Sequence, residues 1–329
     1  MKRMIMVTAI LVGAWLGVFA AQAGAQHPLV TLFEGEPSDV RTISVGSWGG
    51  AECIEATDFA LVGKMSIRLR TSDEYRGGCI DMVRPLDLGA AFQDPHCYLQ
   101  FVVYSVGRAQ RSTISLTDPR TGMGPGGPGI PPSVPSGAGA PRSGPGGGAA
   151  MTAAAQESGY SPITEIRTIL FFEEGVLVVD RQKVEPYRQD EAGWARFNVP
   201  LAKLKASGEL AGYHLKRMVI CADRDDVLYI GEIRAIEDET PILVGLGKDY
   251  EVWKDQPIGM VADADGGAAA LEYSWDFDAS DGITEDATGP VVQHAYHDPG
   301  DYTVTVTVRD ADGIKAPEKI EHTVHVISG

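Results

Sequence analysis

DYTVTVTVRD, residues 301–310, alternates almost without fault: Tyr302, Val304, Val306 and Val308 fall on one side, Thr303, Thr305 and Thr307 on the other. Successive side chains of a β-strand point to opposite faces, so this is a strand with one apolar face and one polar face. Turn chemistry brackets it, with Asp298-Pro299-Gly300 before and Asp312-Gly313 after.

Reading outward, strand-like blocks recur in order: EYSWDFDASDG at 272–282, GPVVQHAYHDPG at 289–300 and IEHTVHVI at 320–327. Together YSWDFD, HAYHDPGDYTVTVTV and DADG resemble the PKD (polycystic kidney disease) domain over residues 245 to 327. That resemblance implies an immunoglobulin-like β-sandwich with Trp275 and Tyr302 in its core and His294 and His297 in structural roles. One departure is ASDG, where the family has a tighter Gly-Asp-Gly turn. Asp276, Asp278 and Asp281 crowd that turn but lack the terminal Glu of a 12-residue calcium loop. His322 and His325 stand three apart on a strand and so face opposite sides, which prevents them from sharing a metal.

Upstream, SIRLR, GCIDMV, YLQFVVYSV and STISLT are short apolar or alternating runs with no helical period between residues 27 and 117. From 118 to 148 the pattern collapses: 11 Gly and 8 Pro fill 19 of 31 positions, and no apolar face can be built. Strand signals resume with EIRTILFF, GVLVVD, WARFNV, HLKRMVICA and VLYIGEIRAI. Each flank alone is thin for a sandwich, whereas together they supply about eight or nine strands, enough for a jelly roll. The expected fold is therefore all-β. A jelly roll of residues 26–240, interrupted by a disordered Gly/Pro-rich insertion at 118–158, precedes a PKD sandwich of residues 241–329.

The stretches FEGEPSDVRTISVGSW (33–48), ALVGKMSIRLRTS (60–72), GWARFNVPLAKLK (193–205) and LYIGEIRAIED (228–238) resemble galactose-binding-type jelly rolls, which include many carbohydrate-binding modules. In that group a first-strand acid and a last-strand acid commonly hold a structural calcium. The resemblance places such a site at Glu34, with Glu36, at Glu232 and at the Lys64 carbonyl; ordinary solvated carboxylates are the alternative. No cofactor is otherwise required. The Asp223 to Asp226 run, DRDD, reads as a solvated turn.

At the N-terminus, Lys2 and Arg3 precede IMVTAILVGAWLGVFAA, and AQAGAQ offers cleavage after Ala23 or Ala25. This is the plan of a secretory signal peptide over residues 1–25, with an uncleaved anchor as the alternative. The mature chain is expected to be exported: secreted, periplasmic or on the cell surface, without membrane insertion. Cys53, Cys79, Cys97 and Cys221 are disulfide candidates in that compartment. Three pairings exist. Cys53 with Cys79 and Cys97 with Cys221 is preferred because CYLQFVVYS and MVICAD have the pattern of strands that lie side by side. Four buried thiols are the alternative.

The 329-residue chain carries 28 basic and 45 acidic residues, a net charge of −17, which argues against nucleic acid as a partner. Residues 241–329 hold 5 basic against 17 acidic residues, so most of the excess lies there. No H-E-x-x-H, G-x-S-x-G or phosphate-binding glycine loop is present, and the expected function is not enzymatic. Sugar recognition would stack aromatic faces on pyranose rings, and the candidates are Trp48, Tyr75 and Tyr187. Trp194 is also aromatic, but the resembled group uses it for packing. The sequence thus points to a binding protein for extracellular polysaccharide or a surface protein, with the PKD domain as spacer. A structural envelope, matrix or adhesion protein with no saccharide site is the rival.

Overall fold

The structure is a computed structural model describing residues 26–107, 163–175, 177–184, 187, 189–190, 192–204, 212–247, 249–282 and 284–328. The expected signal segment (1–25) and the expected insertion (118–158) lie outside the described residues. Apart from one five-residue α-helix, Gly89–Gln93, and three three-residue 3-10 turns, the named elements of the described residues are strands, as expected.

The first sandwich uses β1 (Gln26–Phe33), β2 (Ile43–Trp48), β3 (Cys53–Ala56), β4 (Ser66–Thr71), β5 (Gly77–Asp87) and β6 (Cys97–Ser105). After the break come β7 (Glu165–Phe172), β8 (Leu177–Lys183), β9 (Trp194–Pro200), β10 (His214–Ala222) and β11 (Asp226–Asp238). One sheet runs β3-β4-β11-β6-β9 with β1 also on β11; the other runs β2-β5-β10-β7-β8. All these pairings are antiparallel. Between the sheets lie Ile67, Leu69, Leu99 and Ile230 from the first and Ile80, Leu170, Met218 and Ile220 from the second. Both sheets draw strands from either side of residues 108–162, so neither flank builds a core alone. The long central strand β11 shifts register between Ile230 and Glu232. Gly231 sits at that bulge because a Cβ there would come 2.4 Å from Leu61 Cβ.

DRDD turns out to be a clamp. Asp226, fully buried, accepts from Ser105 Oγ at 2.5 Å and Gly107 N at 3.0 Å. Asp223 accepts from Thr164 N, Thr164 Oγ1 and Glu165 N at 2.6–3.0 Å. One turn therefore holds the two chain ends that flank residues 108–162.

The second sandwich comprises β12 (Leu243–Leu246), β13 (Tyr250–Trp253), β14 (Ile258–Asp265), β15 (Leu271–Asp276), β16 (Ala287–Thr288), β17 (Val291–His294), β18 (Gly300–Asp310) and β19 (Glu318–Ile327). A β12-β14-β17 sheet packs on a β13-β19-β18-β15-β16 sheet, with β13 parallel to β19. Val304, Val306 and Val308 are buried on the inner face with Trp275, as the alternation requires. Tyr302 is half-buried against Tyr296. His294 stacks on Phe277 at 4.2 Å, and His297 pairs with Asp255 at 2.7 Å. Asp276 accepts from Asp278 N and Thr284 N, fixing its turn.

The sandwiches meet at Tyr98, Ile236, Ala268 and Ile314. Beside them Lys315 Nζ, 5 % exposed, donates to fully buried Asp238 at 2.7 Å and to the Thr240 and Gly266 carbonyls. Burial raises the Asp238 pKa, but the bonds from Lys315, Thr240 and Ala268 outweigh it and hold the carboxyl below its ordinary range.

The cysteines are free thiols, all buried. The preferred Cys97–Cys221 pairing is corrected by topology: β6 and β10 belong to different sheets, with Cys97 in the inter-sheet core and Cys221 on the far face of the other sheet. Cys53 also points into the core, where it faces Gly78, whereas its expected partner Cys79 points away.

Candidate functional site on an open sheet face

The outer face of β2-β5-β10-β7-β8 is built by the alternate residues that leave the core. Three rows cross it. Trp48, Gly77, Cys221, Arg167 and Arg181 form the first, and Gly46, Cys79, Val219, Ile169 and Val179 the second. Ser44, Asp81, Arg217, Phe171 and Leu177 form the third. Glycine in the first two rows leaves β2 and β5 low, and the Trp48 and Phe171 rings lean together over the bed at 5.7 Å. Gly77 is required, since a Cβ would lie 1.9 Å from the Ile220 carbonyl oxygen. Burial pushes the Cys79 and Cys221 pKa values up to about 11, so both stay protonated and act as small apolar groups.

Tyr75 comes to the same end of the sheet from the β4–β5 turn. Gly49, in the left-handed region at φ 64°, lets the Trp48 turn approach: a Cβ there would meet the Tyr75 carbonyl oxygen at 2.6 Å. Tyr75 remains 67 % exposed, with the Arg167 guanidinium 5.1 Å from its ring centroid. Arg181 bonds Glu74 at 2.6 Å and Glu165 at 2.8 Å, and Arg217 holds Asp81 through two bonds at 2.6 and 3.1 Å. The face thus joins aromatic rings to oriented polar groups.

Of the three expected sugar-stacking residues, the fold brings Trp48 and Tyr75 together and removes Tyr187. Tyr187 is 4 % exposed, packs on Phe197 and donates its hydroxyl to Gln182 Oε1 and the Asn198 carbonyl. Trp194 is buried against Phe59, with ring centroids 5.1 Å apart, consistent with packing. Sequence reading missed Arg167 and Phe171. In EIRTILFF the odd positions face out and the even ones in, but apolar residues on both faces blur the alternation.

For calcium, the β1–β11 pairing ends at Phe33 opposite Ile233, which carries Glu34 toward the Glu232 end of the pair. Lys64 is tied there through its backbone N–H to the Gly35 carbonyl. Glu232, however, pairs with Arg234 at 3.0 Å, and Asp39 accepts the Glu34 and Glu36 backbone N–H groups. Among the described residues no three His, Cys, Asp or Glu side chains gather into a metal-holding group. With a guanidinium already on Glu232, the set does not fit a cage of six to eight oxygens.

Among the described residues, the histidines with side-chain hydrogen bonds pair with carboxylates: His96 with Asp94, His214 with Glu174, His297 with Asp255 and His325 with Asp301. None orients a hydroxyl or thiol nucleophile. A further cavity of about 220 Å³ lies on the outer face of β15 and β18, lined by Ser274, Asp276, Thr305, Thr307 and Glu285 among others and by no aromatic ring. No helix of the described residues is long and apolar enough to cross a membrane.

Residues 238–326 match the family model of the PKD domain, and the second sandwich is a PKD domain. Among solved structures, the chain is similar to the PKD1 domain of Vibrio anguillarum Epp, at 20 % identity over 27 % of this chain and 98 % of that one, with a TM-score of 0.22. It is also similar to a family 30 carbohydrate binding module, at 12 % identity over 64 % and 88 %, with a TM-score of 0.36. The fibronectin(III)-like modules of Clostridium thermocellum CbhA follow at 11 % identity over 52 % and 82 %, with a TM-score of 0.23. No curated protein matches the chain.

Proposed function

We propose that this is an exported, non-catalytic binding protein whose first sandwich holds an extracellular polysaccharide on the outer face of β2-β5-β10-β7-β8, with the PKD domain fixed beside it as a spacer. The observation that supports this reading is the convergence of half-buried Trp48 and Phe171 and exposed Tyr75 with oriented guanidinium–carboxylate pairs on the outer face of one sheet. Aromatic faces suit the C–H faces of pyranose rings, and fixed polar groups suit ring hydroxyls. Because the platform is made by strands and not by loops, it is held in shape before any ligand arrives, which lowers the ordering cost of binding.

Affinity electrophoresis against a panel of plant, algal and bacterial polysaccharides tests the reading. Trp48→Ala and Tyr75→Ala are expected to weaken the retarding interaction by about tenfold or more while the melting temperature stays near that of the parent. Absence of binding to every glycan at millimolar concentration by folded protein would instead favour a structural or adhesive role.

A further inference from the structure

The three guanidiniums on the binding face are not equivalent. Arg181 is neutralised by Glu74 and Glu165, and Arg217 by Asp81. Arg167, next to Arg181 in the first row, makes no carboxylate ion pair among the described residues, although after the Arg181 bond its charge helps hold the Glu74 carboxyl below its ordinary range. Its Nη1 donates to the Glu74 backbone carbonyl at 2.5 Å, its charge lies against the Tyr75 ring, and its buried Nε has no partner. The Nη donors not used on Glu74, beside the Tyr75 ring, suit a planar carboxylate, which accepts from a guanidinium in charge-assisted bonds.

We infer, resting on the polysaccharide reading above, that the ligand is an acidic polysaccharide containing uronate residues, with Arg167 receiving the uronate carboxylate beside the Trp48 and Tyr75 rings. The overall negative charge does not oppose this. It is concentrated in residues 241–329, with 5 basic against 17 acidic residues, in the other sandwich. Cellulose-like neutral chains would use the rings but leave the Arg167 donors unmatched.

The test compares a polyuronate with the same polymer fully methyl-esterified, which keeps the backbone and removes the charge. Isothermal titration with the full protein is expected to show the acid form binding about tenfold more tightly, with the advantage shrinking as sodium chloride rises. Arg167→Gln is expected to lose the preference. Should that variant misfold, the acid-to-ester ratio and salt dependence of the parent still decide. Equal binding of acid and ester overturns the inference while leaving the polysaccharide reading in place. Binding of neither polymer, nor of any other glycan, takes both down. A preference for the acid form that ignores salt also overturns it, because an exposed charge contact must be screened.

Discussion

Both sandwiches present the outer face of a five-stranded sheet, and the two faces differ in kind. On the PKD domain, β18 sends Thr303, Thr305 and Thr307 outward beside Ser274 and Asp276 of β15. On the first sandwich, Trp48, Ile169, Phe171 and Val219 lie outward although the core between the sheets is already filled by other residues. Folding alone asks for one apolar face per sheet. The PKD face meets that minimum, and the first sandwich exceeds it, which is why the binding reading rests on the latter.

The largest expected effect concerns the joint that sets the two faces relative to one another. Lys315→Ala leaves Asp238 buried without its cation and is expected to cost about 3–5 kcal/mol in chemical denaturation. A cost below about 1 kcal/mol would show that the sandwiches are not energetically coupled there.

Inner and outer apolar positions can then be set against each other. Val306→Thr places a hydroxyl in the PKD core and is expected to cost about 1–3 kcal/mol. Val179→Thr, on the outer face of β8, is expected to stay within about 0.5 kcal/mol. Equal costs would mean that the outer apolar face is structural, against the contrast drawn above.

The smallest effect is a pH slope at the joint. Burial, then Asp310 and Asp180, push the Asp312 carboxyl up to about 6, with Lys203 opposing and Glu272 adding to the rise. Because the folded value exceeds the unfolded one, the folded state holds the extra proton between about pH 4 and 6. Stability from this group therefore falls as pH rises through that window and is lowest above it. Asp312→Asn is expected to flatten this part of the melting-temperature profile and to raise the melting temperature at pH 7; an unchanged profile would remove Asp312 from the joint.

Legibility in the sequence followed the same division. Where one face is apolar, as in DYTVTVTVRD, period 2 is visible and the strand, its turns and its domain could be read directly. Where both faces are apolar, as in EIRTILFF and HLKRMVICA, strand existence was legible but facing was not, so Arg167 and Phe171 went unseen and Tyr187 was misplaced. Pairing order was also hidden: nothing local in MVICAD says that its neighbours are β5 and β7 and not β6. The clamp formed by Asp223 and Asp226 could not be read either, because its partners lie at Ser105, Gly107, Thr164 and Glu165, far away in sequence.

That clamp makes the first sandwich two interleaved chains in all but covalent continuity. Both sheets combine strands from β1 to β6 with strands from β7 to β11, and in the first sheet β11 lies between β4 and β6 from the other half. Cleavage anywhere in 108–162 would leave two polypeptides knitted by their ladders, migrating as one particle in a native gel and as two bands once denatured. The outer face of the second sheet, drawing β2 and β5 from one half and β7, β8 and β10 from the other, would survive the cut intact.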